Sequence, residues 1–162
     1  MRRQLGFTLV ELVIVMIIIG VLSFVAAPLF FSSQQLASKL VSEQLISQLQ
    51  LAQRVALGMS NQANPVSMQI NASDATWQLA LLKTNPAGGD PLRFVVDLER
   101  GNTAMSVDGN AINSGDTVTF AWDANANLTP YQNYTIRVQG ESSQTVCLSA
   151  AGFAYRVATS CP

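Results

Sequence analysis

The sequence contains no histidine. Histidine is the side chain best suited to act as a general base near neutral pH, and it is the commonest metal ligand in proteins. Its absence leaves the two cysteines, Cys147 and Cys161, as a poor set for a zinc site or a thiol nucleophile. The sequence shows no catalytic nucleophile together with a general base, as a membrane-anchored hydrolase would need. The sequence therefore predicts a protein that is not an enzyme and has no cofactor or metal.

Charged side chains are also scarce and make up 12% of the 162 residues. None occurs from Leu12 to Ser38, and residues 12–31 form an almost wholly apolar run. As a helix this run is about 30 Å long at about 1.5 Å per residue, which matches the hydrocarbon core of a bilayer. We expect one membrane span followed by one modest domain.

One carboxylate, that of Glu11, stands at the start of the apolar run. A carboxylate in the middle of a membrane span costs about 2.5–3.5 kcal/mol on insertion scales, and less near the interface, so such acids are usually paired. No basic residue lies between Arg3 and Lys39. The counter-charge must therefore come from upstream in the chain or from another molecule.

Two general interpretations of the N-terminal segment fit it only in part. As a secretory signal, Arg2 and Arg3 would form the positive region, but the apolar run is too long and Ala26-Ala27-Pro28 is a poor cleavage site. As a signal anchor, the segment fits apart from its acid, and the two arginines would keep the N-terminus in the cytoplasm.

The residues Gly6-Phe7-Thr8-Leu9-Val10-Glu11 closely resemble the N-terminal signature of type IV pilins and the related pseudopilins. The resemblance implies a leader of residues 1–6, cleavage by prepilin peptidase between Gly6 and Phe7, and methylation of the new amine of Phe7. It also implies that Glu11 of an incoming subunit neutralises the amine of a neighbour. Such a buried ion pair specifies register better than it adds stability.

The same resemblance implies the partners and the location of the protein. The partners would be other pilin or pseudopilin subunits, the prepilin peptidase and an inner-membrane assembly platform. Before assembly the protein would be single-pass in the bacterial inner membrane with a periplasmic domain. After assembly it would lie in an extracellular pilus or a periplasmic pseudopilus.

One long helix of about fifty residues is expected. Its first half is a membrane and polymerisation helix over residues 7–31, and its second half is an amphipathic helix over residues 32–60 that continues into the domain. Pro28 removes one backbone hydrogen bond and should kink the helix rather than end it. The resemblance implies that the segment around Pro28 unwinds in the fibre; a plain membrane-helix kink is the alternative. The second segment carries an apolar stripe at helical spacing, formed by Leu36, Leu40, Val41, Leu45, Leu49, Ala52, Ala56 and Met59.

Residues 61–162 change to a period of two, which predicts a β-rich domain. The expected strands cover residues 66–70, 77–81, 92–98, 103–107, 117–122, 134–139, 144–148 and 153–158. Short strands with turn residues between them indicate antiparallel sheet, covered on one face by the amphipathic helix. The predicted class is therefore α+β, and the resemblance implies the pilin fold.

The domain is not basic enough to bind nucleic acid by bulk charge. Beyond residue 31 it carries seven basic and nine acidic residues. Arg137 and Arg156 are the basic candidates for a DNA-uptake role, which clustered Lys or Arg would have to support.

The two cysteines are expected to form a disulfide if the domain is exported. An oxidising compartment would join Cys147 to Cys161, and the loop of about fifteen residues would add roughly 3 kcal/mol in the chain-entropy model. Two buried free thiols are the alternative. In pilins a C-terminal disulfide often brackets a contact loop, so the resemblance also favours it.

Two polar or aromatic patterns have simpler alternatives. The run from Asp123 to Asn127 resembles the opening of a calcium loop, but Leu128 stands where the sharp turn needs glycine, so a polar turn is the simpler interpretation. Four aromatic residues could form a surface on which sugars stack, if their rings are exposed. Packing in the core is the simpler expectation for aromatic residues in strands. The four residues are Trp77, Trp122, Tyr131 and Tyr134.

The C-terminal part more weakly resembles the ending of minor pilins related to secretion pseudopilin H. It has the run 119–130, a strand at 134–139 and a hairpin at 147–152, but Phe153 rather than arginine follows Gly152. With its terminal cysteine pair, this ending is most similar to that of C subunits of the mannose-sensitive haemagglutinin pilus. The resemblance implies a structural minor pilin that joins or initiates a type IV pilus, with a role in adhesion. A minor pseudopilin of type II secretion and, less favoured, a DNA-uptake minor pilin are the alternatives.

Overall fold

The computed structural model describes residues 9–58, 65–83 and 92–162, without the side chains of residues 24–35 and 92. These residues contain one helix, α1 (Leu9–Gly58), and ten strands. The strands are β1 (Val66–Ala72), β2 (Thr76–Lys83), β3 (Leu92–Glu99), β4 (Ala104–Val107), β5 (Asn110–Ile112), β6 (Thr117–Trp122), β7 (Leu128–Thr129), β8 (Tyr134–Gln139), β9 (Ser143–Leu148) and β10 (Ala154–Val157).

The chain divides between Gln34 and Gln35 into two compact units. Within the second unit the strands form two five-stranded antiparallel sheets. The first sheet has the order β3-β2-β1-β6-β7 and the second has the order β10-β9-β8-β4-β5. The fold is α+β, as the sequence predicts.

Alternation along the strands builds the core of the second unit. In β1 the residues at even positions are buried and those between them are half-buried, and in β2 Trp77, Leu79 and Leu81 face the same side. The second sheet adds Ile136, Val138, Val146 and Leu148, while the helix adds Val41, Leu45, Leu49, Ala52 and Ala56. One hydrophobic cluster therefore joins both sheets to the helix within this unit.

The predicted strands match the observed ones apart from their ends, but two strands were not expected. β5 follows β4 through Asp108 and Gly109, whose φ angles of 49° and 83° are those of a two-residue hairpin turn. Asp-Gly is a common turn sequence, but the three residues of β5 are too few for the alternating pattern that predicts a strand. β7 has two residues, too few for an alternating pattern.

The apolar stripe predicted for the helix is right from Val41 onward and wrong at its start. Leu36 and Leu40 are 51% and 56% exposed, whereas Ser38 and Ser42 are buried. Met59, the last residue of the predicted stripe, lies outside the described residues. The helix thus turns small polar side chains, not leucines, toward the domain at this end.

Small side chains face the domain at this end of the helix because the helix comes close to the β8–β9 turn. Ser38 Oγ lies 2.8 Å from Ser142 Oγ in a hydrogen bond. A Cβ added to Gly140 would lie 3.2 Å from Ser38 Cβ. Only small side chains fit at this contact, so leucine is excluded from the facing side of the helix.

Candidate functional sites

The predicted processing point lies at the edge of what the structure describes. Gly6 and Phe7 fall outside the described residues, so cleavage and methylation there stay predictions. Glu11 is exposed in the first turn of α1. Its carboxylate therefore lies in the first turn of the described helix, close in sequence to the predicted cleavage point.

The helix surface next to Glu11 is apolar on all sides. From residue 9 to residue 22 every large hydrophobic side chain is exposed, with Leu9 at 80% and Leu22 at 62%. A surface of this kind is normally covered by lipid or by another protein. Among the described residues, no helical stretch reaches the length and hydropathy that a membrane crossing requires. The span over residues 7–31 stays a prediction, since its last side chains lie outside those described.

Pro28 lies inside α1, which continues through it to Gly58. The residue therefore does not end the helix, as expected for a proline within an apolar run. Its side chain is not among those described, and the kink proposed there stays a prediction.

Two glutamines attach the helix to the last hairpin of the domain. Gln50 Nε2 donates to the carbonyl oxygen of Ala154, and Gln53 Nε2 donates to that of Ala151, each at 3.1 Å. Gln53 is 6% exposed, so its hydrogen bond satisfies an almost buried amide. No local sequence pattern indicates these contacts, because the partners are about one hundred residues apart.

An ion pair joins the same two elements. Arg156 Nη2 lies 2.5 Å from Glu43 Oε1, with side chains 39% and 55% exposed. Exposed pairs of this kind contribute about 0.2–1 kcal/mol. Arg156, one of the two basic candidates for DNA contact, is thus partly neutralised within the domain, while Arg137 stays exposed on β8.

Gly152 occupies a place where only glycine fits. Its φ is 82°, and an added Cβ would lie 2.2 Å from the carbonyl oxygen of Ala126 and 2.8 Å from Trp122 Nε1. Trp122 is fully buried, and its Nε1 has no hydrogen-bond partner among the described residues. The last turn of the domain is therefore pressed against the indole ring and the turn that follows β6.

The turn after β6 uses its acidic residue for its own backbone. Asp123 Oδ1 accepts hydrogen bonds from the N–H groups of Asn125 and Asn127, each at 2.8 Å. Ala126 between them has a φ of 59°. This is the polar turn that the sequence indicated as simpler than a calcium loop. The described residues hold no group of three or more His, Cys, Asp or Glu placed to bind a metal.

The disulfide links Cys147 of β9 to Cys161, with Cα atoms 5.0 Å apart. Cys147 is fully buried. The N–H of Cys161 donates to Thr135 Oγ1 at 3.1 Å, and Asn133 Nδ2 donates to the carbonyl oxygen of Pro162 at 2.5 Å. The covalent bond and the hydrogen bonds together hold the C-terminal residues against β8 and β9.

The aromatic residues do not form the four-ring surface that sugar stacking would need. Trp77 and Trp122 are fully buried. Tyr134 packs edge-on against Phe120 with ring centroids 5.2 Å apart. Tyr131, which is 72% exposed, is the exception. Core packing is thus the role of the three aromatic residues that lie in strands.

Residues 1–27 match the family model described as the prokaryotic N-terminal methylation motif. No curated protein matches the chain.

Two crystal structures of the type IV minor pilin FimU from Pseudomonas aeruginosa are similar in fold. One has 18% sequence identity and a TM-score of 0.54, over 76% of this chain and 99% of that chain. The other has 19% identity and a TM-score of 0.55, over 81% and 96%. At these identities the similarity shows the fold alone. The N-terminal motif and the fold both agree with the resemblance to type IV pilins that the sequence shows.

Proposed function

We propose that the protein is a structural minor pilin, which prepilin peptidase processes and which then enters a type IV pilus or starts its assembly. The observation that carries this proposal is the methylation motif over residues 1–27, followed in the same chain by a unit with the fold of a minor pilin. Its partners are other pilin subunits, the peptidase and the inner-membrane assembly platform.

In the proposed maturation, the peptide bond between Gly6 and Phe7 is cut and the new amine of Phe7 is methylated. The amine is a cation in an apolar setting, and the carboxylate of Glu11 is an anion in the same setting. Each requires a counter-charge. Pairing between Glu11 of one subunit and the amine of another satisfies both charges and defines the axial position of the incoming subunit.

Before assembly, residues 7–31 anchor the protein in the inner membrane with its domain in the periplasm. The exposed apolar surface from Leu9 to Leu22 supports this proposal, because lipid or neighbouring helices must cover it. Around Pro28 the backbone lacks one hydrogen bond, which makes this the segment where the helix most easily changes shape as subunits pack.

The narrower assignment is to C subunits of the mannose-sensitive haemagglutinin pilus, with a role in adhesion. The disulfide between Cys147 in the last hairpin and Cys161 after it supports this assignment, as do the rings of Tyr131 and Phe153, which are 72% and 59% exposed. The alternative is a minor pseudopilin of a type II secretion system. In that case, deletion of this protein would block secretion without removing surface pili.

The test is incorporation of Glu11→Ala into sheared pili, measured by immunoblot of the fibre and membrane fractions. We expect normal folding and processing but a strong loss from the fibre fraction, because the terminal amine of the neighbouring subunit then lacks its counter-charge. Glu141→Ala, which removes an exposed carboxylate of the domain, is the control and should incorporate normally. Normal incorporation of Glu11→Ala would contradict the assembly role.

A further inference from the structure

β3 is the longest strand at a sheet edge in the described part of the chain. It has eight residues and pairs with β2 on one side, and no described strand pairs with its other side. The other edge strands, β5, β7 and β10, have two to four residues. An open strand of this length offers backbone hydrogen bonds to another chain.

The register shows which backbone groups of β3 face outward. The N–H of Arg100 donates to the carbonyl oxygen of Ala75 at 2.8 Å, just beyond the pairing of β3 with β2. In an antiparallel ladder alternate residues direct both backbone groups toward the same neighbour. Even-numbered residues of β3 therefore bond to β2. The residues that present N–H and C=O to the open edge are Arg93, Val95, Asp97 and Glu99.

The side chains of β3 are unusual for an unpaired edge. Phe94 is 48% exposed although it lies opposite the buried Leu81, and Val95 is 36% exposed. Arg93 is exposed near the start of the strand, and Glu99 is exposed at its end. Charges on an edge strand usually discourage pairing. Here their signs are opposite at the two ends, so an antiparallel copy of the same strand brings complementary charges together.

We propose that β3 pairs antiparallel with β3 of a second copy of this chain, with Val96 on the twofold axis. Arg93 then lies opposite Glu99 of the second copy at both ends, and Phe94 lies opposite Leu98. All four outward-facing residues enter hydrogen-bonded pairs. A twofold axis at Val95 forms three such pairs and leaves Glu99 without a counterpart. This inference does not depend on the proposed pilin function.

The register is tested by cysteine cross-linking of the full-length protein in detergent. In Val96→Cys the two new thiols face each other in a non-hydrogen-bonded pair, where Cα atoms are about 4.5 Å apart and a disulfide is possible. In the control Val95→Cys, each thiol lies opposite Asp97 of the other copy and is too far from its equivalent. Mass spectrometry of the linked peptides separates these products from exchange with the native disulfide.

We expect Val96→Cys to form a covalent dimer in several-fold greater yield than Val95→Cys. Equal yields, or a greater yield at position 95, would overturn the proposed pairing. A cross-link in cells from position 96 to a different protein, without the homodimer, would overturn the choice of a second copy as the occupant.

The charge complementarity is tested by reversing it in the Val96→Cys background. Arg93→Glu or Glu99→Arg alone places like charges opposite each other at both ends and should weaken dimer formation roughly tenfold. The double change restores opposite charges and should restore the dimer. Arg54→Glu on the exposed face of the helix is the control. Single changes that behave as this control, or a double change without recovery, would contradict the proposal.

Discussion

At the scale of single residues, Gly152 is tightly constrained. Two independent constraints act on it, a positive φ that side chains rarely adopt and the close approach of Ala126 and Trp122. The turn signal at glycine was visible in the sequence. The indole ring behind it was not, because nothing local relates Gly152 to a tryptophan thirty positions earlier.

We predict that Gly152→Ala lowers the free energy of unfolding by more than Gly115→Ala does. Both glycines have positive φ, 82° and 89°, and strain from this conformation costs about 1–3 kcal/mol. An added Cβ at Gly115 meets nothing within 4 Å, whereas at Gly152 it overlaps a backbone oxygen. Urea unfolding followed by tryptophan fluorescence measures the difference. Equal destabilisation of the two variants would show that the close contact carries no energy.

At the scale of elements, the helix illustrates what periodicity can and cannot predict. Spacings of three and four located the buried face from Val41 to Ala56 because long side chains fill the space over the sheets. The same spacings failed at Leu36 and Leu40. There the helix meets the turn at Gly140 so closely that Ser38 faces inward. The distance between two elements decides this, and no local pattern encodes it.

We predict that Ser38→Leu destabilises the domain by about 1–3 kcal/mol, because a large side chain overpacks the contact with Gly140 and removes the hydrogen bond to Ser142. Leu40→Ser, two positions along the same helix, should change stability by less than about 0.5 kcal/mol since Leu40 is exposed. Thermal unfolding monitored by circular dichroism compares the two. A larger loss for Leu40→Ser would restore the leucine stripe as the packed face.

The disulfide attaches the C-terminal residues to β9. Replacing both cysteines by serine opens a loop whose ends are fourteen positions apart, and the chain-entropy model predicts a loss of roughly 3 kcal/mol. Urea unfolding of the variant and of the oxidised and reduced wild-type protein provides the measurement. The reduced protein should resemble the variant. Identical midpoints for oxidised and reduced protein would show that the hydrogen bonds of Cys161 and Pro162 suffice.

At the scale of the whole molecule, local sequence patterns predict the order of the elements. They do not predict the contacts between residues that are far apart in sequence. A continuous apolar run and then a period of two were enough to predict a long helix followed by antiparallel strands. The N-terminal methylation motif is visible in the sequence because its residues are contiguous. Three features depend on residues that meet only through tertiary packing. They are the division into two sheets, the ion pair of Arg156 with Glu43, and the open edge of β3.

Mass spectrometry of the intact protein shows whether its N-terminus is processed as proposed. The protein is produced in a host with and without prepilin peptidase, and the N-terminal peptide is sequenced in both. We expect a chain beginning with N-methylated Phe7 when the peptidase is active, and an uncut leader of residues 1–6 when it is absent. A chain that still begins at Met1 in the presence of active peptidase would show that the proposed processing is wrong.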